Sequence, residues 1–191
     1  MSRALSPLLA LYLLTQITLL PQVVAERTAQ RVAAAAAAAD SAGQARAKLL
    51  EAARTLVAGA RFASLITLDS SGSPQARTVE PFEPDSGFVV WFATNPRTRK
   101  VAEIRRDPRV TLHWLDPKAL GYVTLKGRAR LVDDPAEKRR RWKPEWKGFY
   151  PDRDRDYLLI EVRPLRLEVV SPAHGIAGDS LTWRPPAVEF P

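Results

Sequence analysis

The hydrophobic and polar positions of the chain change period several times. Between residues 42 and 60, Leu49, Ala53, Leu56, Val57 and Ala60 recur at helical spacing, which predicts a helix over 42–58 with one apolar face. Asp40 or Ser41 is placed to cap its start and Gly59 to end it. From Phe62 the period becomes that of strands. Phe62–Leu68, Gln75–Pro81 and Phe88–Ala93 read as three strands, separated by turn-forming stretches over 69–74 and 84–87. These short connections predict an antiparallel meander. Thr98–Arg106 is helical again, with Val101 and Ile104 facing inward, and Asp107-Pro108 ends it.

Alternation returns in Arg109–Leu115, where Val110, Leu112 and Trp114 share a face, and in Gly121–Val132. The second run is long for one strand, and Gly127 marks a bend or bulge within it. Asp133-Asp134-Pro135 caps a basic helix over 136–142, and a loop rich in Pro, Trp and charge follows to Asp156. Tyr157–Pro164 and Leu165–Ser171 read as the last two strands. The remaining tail is expected to pack on the body through Leu181, Trp183 and Phe190. About seven strands with few, short helices predict a mainly β fold with peripheral helices, a small antiparallel β-barrel.

The N-terminal pattern differs from the rest. Arg3 is the only early charge, and Leu8–Leu20 is apolar apart from Thr15, Gln16 and Thr18. Pro21 breaks the run before Val23-Val24-Ala25. That order is the order of a secretory signal, with cleavage after Ala25. The apolar run is shorter than the ~20 residues a spanning helix needs. The organisation expected is therefore a signal over 1–25, an Ala-rich spacer over 26–40, a barrel domain over 41–171 and a tail over 172–191. The mature protein is expected in a bacterial periplasm or secreted, without a stable membrane span; an uncleaved signal would leave it membrane-anchored.

Composition narrows the chemistry. There are no cysteines, which excludes disulfides, thiolate catalysis and Cys-ligated zinc, and the two histidines, His113 and His174, are too few for a His-rich metal site. The net charge of +8 favours anionic partners. The run Lys138-Arg139-Arg140-Arg141 winds around a helix rather than along one face, and Glu145, Asp152, Asp154 and Asp156 follow it. It reads as a solvated helix and not as a specific nucleic-acid site. The stretch with the most chemistry is 92–101. A hydrophobic strand runs into a turn carrying Thr94, Asn95, Arg97, Thr98, Arg99 and Lys100, and a helix begins there. Hydroxyls, cations and free N–H groups at a helix start suit a phosphate group. Trp142 and Trp146 are suited either to stack on a bound ring or to seal the barrel end, and His113 reads as a structural strand residue.

Taken in order, Ala76-Arg77-Thr78-Val79-Glu80-Pro81, Phe92-Ala93-Thr94, Thr98-Arg99-Lys100, Asp107-Pro108-Arg109-Val110 and Lys126-Gly127-Arg128-Ala129 resemble the pyridoxamine 5′-phosphate oxidase-like split barrels. Trp142-Lys143-Pro144 and Phe149-Tyr150-Pro151 fit the same pattern, which spans 42–171 and is nearest the general-stress-protein subgroup. The resemblance implies a split β-barrel of FMN-binding type and a homodimer holding FMN between its subunits. Carried over by position, Arg77, Thr78 and Val79 would lie along the isoalloxazine and ribityl chain, and Thr94 near the ribityl or phosphate. Thr98, Arg99 and Lys100 would hold the 5′-phosphate. Arg77 beside the pyrimidine edge would stabilise the reduced flavin. The implied activity is an FMN-dependent oxidoreductase acting on a small redox substrate. A non-catalytic flavin-binding stress protein and a deazaflavin-dependent reductase are the alternatives. The tail Leu181-Thr182-Trp183-Arg184 departs from the substrate-binding segment of the vitamin B6 oxidases, so that reaction is not implied, and no substrate acid or base stands out.

Overall fold

Two long neighbouring strands organise the chain. The computed structural model describes residues 7–191, with side chains from Val24 onward. In order, its elements are α1 (Pro7–Gly59), β1 (Ala63–Leu68), β2 (Pro74–Val79), β3 (Val90–Thr94), α2 (Arg99–Arg106), β4 (Arg109–Asp116), β5 (Gly121–Val132), α3 (Pro135–Arg140), α4 (Arg153–Asp156), β6 (Leu158–Val170) and β7 (Ala187–Glu189). The strands form one antiparallel sheet in the order β2–β1–β4–β5–β6–β3, with β7 added to β6. The sheet curls, and a single bridge between Pro81 and Phe92, beside the bond from Phe82 N–H to Trp91 C=O (2.7 Å), joins its two ends. This is the split barrel that the sequence predicts.

The expected meander of the first three strands does not form. β3 pairs with β6, from Val90 opposite Val162 to Thr94 opposite Leu158. The reason is burial. Val90, Trp91 and Phe92 are buried on both faces of β3, and so are Leu158 to Val162 of β6, whereas β2 buries Val79 alone. A strand with two apolar faces needs a neighbour of the same kind. The two strands expected over 157–171 are one, because a bulge absorbs the proline between them. Pro164 lies opposite Gly127, Leu165 has no partner, and Arg166 resumes pairing with Lys126. At Gly127 the backbones approach so closely that a Cβ would stand 2.4 Å from the carbonyl oxygen of Arg163. The seventh strand is supplied by β7.

The bend gives the sheet two cores. Leu65, Leu112, Trp114, Leu125, Ile160 and Leu167 fill the barrel; Trp91, Val132, Trp146, Tyr157 and Leu159 form a second, largely aromatic cluster on the outer side of β3 and β6. Alternation along β6 sends Ile160 to one and Leu159 to the other.

The chain divides into two units after Arg46. In the first, α1 runs continuously through the expected spacer, so Asp40 and Ser41 lie inside the helix and do not cap it. Seven consecutive alanines, the strongest helix formers, favour this continuation, and Gln44 Nε2 donates to Asp40 Oδ2 (3.2 Å). The apolar run Leu8–Leu20, read as the signal core, lies outside the residues whose side chains are described. In the second unit the last turns of α1 bury Ala52, Ala53, Leu56 and Val57. Arg54 reaches the carbonyls of Pro84, Asp85 and Ser86 (2.8–3.2 Å), which fixes the turn before β3.

Two surface expectations are corrected. Lys138 and Arg141 are not solvated: Lys138 is buried against Asp133 and the Tyr157 ring, and Arg141 pairs with Glu137 and lies 3.7 Å over Trp91. In the tail Val188 is buried and Phe190 packs on the barrel core, but Leu181 and Trp183 are exposed (89% and 83%). Asp179 accepts the N–H groups of Leu181 and Thr182, so that loop satisfies itself away from the barrel.

The contact at Gly127 yields a direct test. Gly127→Ala should destabilise the protein by about 2 kcal/mol or more, because the added methyl meets backbone rather than a side chain that can swing away. Denaturant unfolding of the two proteins measures it.

Candidate functional site

The turn between β3 and α2 is built by local hydrogen bonds. Asn95 Oδ1 accepts from Arg97 N–H (2.9 Å), and Asn95 C=O accepts from Thr98 N–H (3.1 Å), which folds the chain back into α2. Thr98 stands at the N-cap but does not cap with its side chain. Its hydroxyl donates instead to Asn95 C=O (2.8 Å) and lies 3.1 Å from the Thr94 hydroxyl. Lys100 Nζ donates to Thr94 Oγ1 (2.9 Å). Each hydroxyl has one proton, so the direction is fixed: Lys100 donates to Thr94, Thr94 to Thr98, and Thr98 to the carbonyl. Such a chain polarises its members in one sense and locks both threonines.

These residues line a cavity of about 350 Å³. β2 contributes Thr78 and Val79, the end of β3 Thr94, and α2 with its cap Lys100 and Thr98; Trp146, Phe149 and Tyr150 form an aromatic side. Five of the seven residues singled out from sequence therefore meet here. The other two, Arg77 and Arg99, do not line it. Arg77, opposite Leu65, is turned inward, where Nη2 donates to Glu103 Oε2 (2.7 Å) and Nη1 donates to Thr67 Oγ1. Arg99 pairs with the other carboxylate oxygen across one helical turn (Nε to Oε1, 3.0 Å) and is 67% exposed.

Glu103 is 3% exposed and Thr67 fully buried, and the two are 2.5 Å apart (Thr67 Oγ1 to Glu103 Oε2). Burial pushes the Glu103 carboxyl up, but the bonds from Thr67 and Arg77 and the charges of Arg77 and Arg99 outweigh it and hold the group below the usual range. For Lys100, burial and then the charge of Arg77 push the ammonium down, and Glu103 opposes them. Sequence reading missed Glu103, Thr67 and Tyr150. Helical spacing gave no signal for Glu103, which stands about 200° around α2 from Val101 and about 100° from Ile104.

Trp146 is buried in the second core and lines the cavity; Trp142 packs edge-on to Trp146 and Tyr157 and does not line it. The histidines lie elsewhere. His113 Nδ1 is 2.9 Å from Thr124 Oγ1, with its imidazole pushed down by burial, and His174 Nδ1 is 2.7 Å from Ser171 Oγ.

A family profile described as pyridoxamine 5′-phosphate oxidase matches residues 49–171. Among solved structures, general stress protein 26 from Bacillus anthracis str. Sterne is 22% identical over 73% of this chain and 97% of its own, with a TM-score of 0.58. A protein from Clostridium acetobutylicum related to general stress protein 26 of B. subtilis is 19% identical over 74% and 94%, with a TM-score of 0.61. A heme binding protein from Mycobacterium smegmatis is 22% identical over 73% and 57%, with a TM-score of 0.55. At these identities the likeness is one of fold. No curated protein matches the chain.

The aromatic side of the site carries a second test. Among the described residues the Tyr157 hydroxyl is buried without a hydrogen-bond partner, and burial, the largest cause, pushes its ionisation up to about 12. Tyr157→Phe should therefore be neutral or stabilise the protein by up to about 1 kcal/mol, since it removes an unsatisfied polar atom and keeps the ring. A fall in melting temperature would show that the hydroxyl has a partner.

Proposed function

The chain belongs to the pyridoxamine 5′-phosphate oxidase family, and from that premise we propose that it binds FMN and works as an exported, flavin-dependent oxidoreductase. The observation that carries the reading is the cavity that gathers Thr78, Thr94, Thr98 and Lys100 at the start of α2. The donor set fits a phosphomonoester. Lys100 gives one of its three N–H groups to Thr94, which leaves two for phosphate oxygens, while the hydroxyl protons of Thr94 and Thr98 are spent within their own chain and would have to turn to reach the anion. Bound FMN would supply two-electron chemistry between a small donor and an acceptor. The chain's own residues anchor the phosphate and wall the site with Trp146, Phe149 and Tyr150. Phe149, 76% exposed at the edge of the cavity, favours a second copy of the chain closing the site, as expected of a homodimer. Neither histidine lines the cavity, so haem is not favoured there. The N-terminal signal pattern supports export, and the absence of cysteine is consistent with it.

Titration with FMN, followed by quenching of flavin fluorescence, tests the site. The wild-type protein should bind, and Lys100→Ala should weaken binding tenfold or more, about 1.4 kcal/mol. Arg99→Ala should weaken it less, because Arg99 does not reach the cavity. The phosphate needs the Lys100 cation, and that ammonium is pushed down from the usual lysine value. Affinity should therefore be full at neutral pH and fall on the alkaline side earlier than an ordinary lysine would cause. A colourless protein that takes up no FMN would overturn the reading. Anaerobic bleaching by a donor such as NADPH, reversed by air, marks an oxidoreductase. A yellow protein that does not bleach is the non-catalytic flavin binder, and uptake of a deazaflavin in preference to FMN reassigns the cofactor.

Export has its own test. Protein recovered from the cell envelope should begin at Glu26 on N-terminal sequencing; an intact Met1 terminus in the membrane fraction would mean a retained anchor.

A further inference from the structure

Three cations, Arg77, Arg99 and Lys100, surround the wall of the cavity, yet among the described residues only Lys100 lines it. One carboxylate engages both arginines. Arg77 comes from β2 and Arg99 from the first turn of α2, and both guanidiniums end on the carboxylate of Glu103, at 2.7 and 3.0 Å. Thr67 of β1 binds the same carboxylate, so one side chain ties α2 to two strands. Glu103 itself does not line the cavity.

We propose that Glu103 is the positioning residue of the anion site: its buried carboxylate holds the Arg77 guanidinium behind the cavity wall, pairs with the exposed Arg99 and, three residues after Lys100 on the same helix, serves as the counter-ion that keeps Lys100 charged at the mouth. The proposal rests on the phosphate reading of the same cavity. The groups facing Lys100 are consistent with it. Arg77 from β2 repels the ammonium, Thr94 from β3 accepts from it, and Glu103 on its own helix attracts it. Glu80 and Tyr150 line the same cavity. Glu80 is engaged by Arg61 (3.2 Å) and lies 3.9 Å from Lys143, and Tyr150 is held protonated by burial. Glu103 is thus the carboxylate that offsets the Arg77–Lys100 repulsion.

The test follows the lysine directly. With 13C-labelled lysine, the Lys100 Cε resonance is assigned by its loss in K100A, and its titration is compared in wild type and E103Q without added ligand. The E103Q midpoint should fall by about one unit. FMN binding should lose its alkaline limb at correspondingly lower pH, about tenfold weaker there at a fixed pH. A structural role alone would move melting temperature and leave the midpoint in place, and an unchanged midpoint overturns the proposal. Where E103Q alone fails to fold, the comparison of R77Q with R77Q/E103Q carries it, because no guanidinium is then stranded in the interior. The two readings separate cleanly. Wild-type protein that binds no FMN while E103Q still lowers the Lys100 midpoint removes the flavin and keeps the counter-ion. Wild-type protein that binds FMN with an E103Q variant identical in midpoint and pH profile keeps the flavin and removes the counter-ion.

Discussion

The pairing of β5 with β6, bent where Gly127 meets the backbone of Arg163, is the constraint on which the rest of the structure depends. Both strands are longer than a small barrel can accommodate flat, and the bulge with its unpaired Leu165 lets them turn. On one side of the bend β5 carries β4, β1 and β2. On the other, β6 receives β3 with residues buried on both faces. β3 in turn delivers Thr94 to the turn where α2 begins. The site's position therefore follows from a backbone contact that no side chain on β5 would permit.

The electrostatics of the site are arranged in depth. A buried carboxylate is costly unless it is both paired and hydrogen-bonded, and breaking such a pair from one side costs more than the pair contributes. Glu103 meets the condition at Oε2 with Thr67 and Arg77, whereas Oε1 has the ion pair with Arg99 but no hydrogen bond among the described residues. Its strength lies in organisation, since it anchors α2 to β1 and β2 and holds the Arg77 guanidinium in the interior. The hydroxyl chain from Lys100 to Asn95 does the same for the small donors. Together they leave a site with few moving parts, which is what recognition of a compact anion requires.

Much of this was legible in the sequence. Gly121–Val132 matches β5 at both ends because strict alternation and a single glycine describe a half-buried, bent strand. The start of α2 was legible because Asn95, Pro96 and Thr98 act through short-range geometry. Pairing was not legible. The partner of β3 depends on which strand offers a second buried face, a property of β6 that shows only once Leu159 and Tyr157 are seen to cover an aromatic cluster. The helix start was misplaced because Asp40 and Ser41 are good caps, and capping preference lost to the propensity of the alanines before them. Glu103 was invisible for a related reason: in sequence it is an ordinary helix-surface residue four places after an arginine, and only the fold places Thr67 and Arg77 over it.

That difference bears on how the chemistry is divided between chain and cofactor. Conserving charge near a phosphate by adding cations alone would leave Arg77, Arg99 and Lys100 repelling one another, and the half-buried lysine would be the first to lose its proton. A carboxylate placed behind them opposes that repulsion without competing for the ligand, because it does not line the cavity. The remaining lining is threonine and aromatic, and Tyr150, held protonated by burial, can donate but not act as a base at neutral pH. The residues on the cavity wall are thus suited to hold and orient an anionic, ring-bearing molecule, while the electron transfer proposed for the protein falls to the bound ring itself.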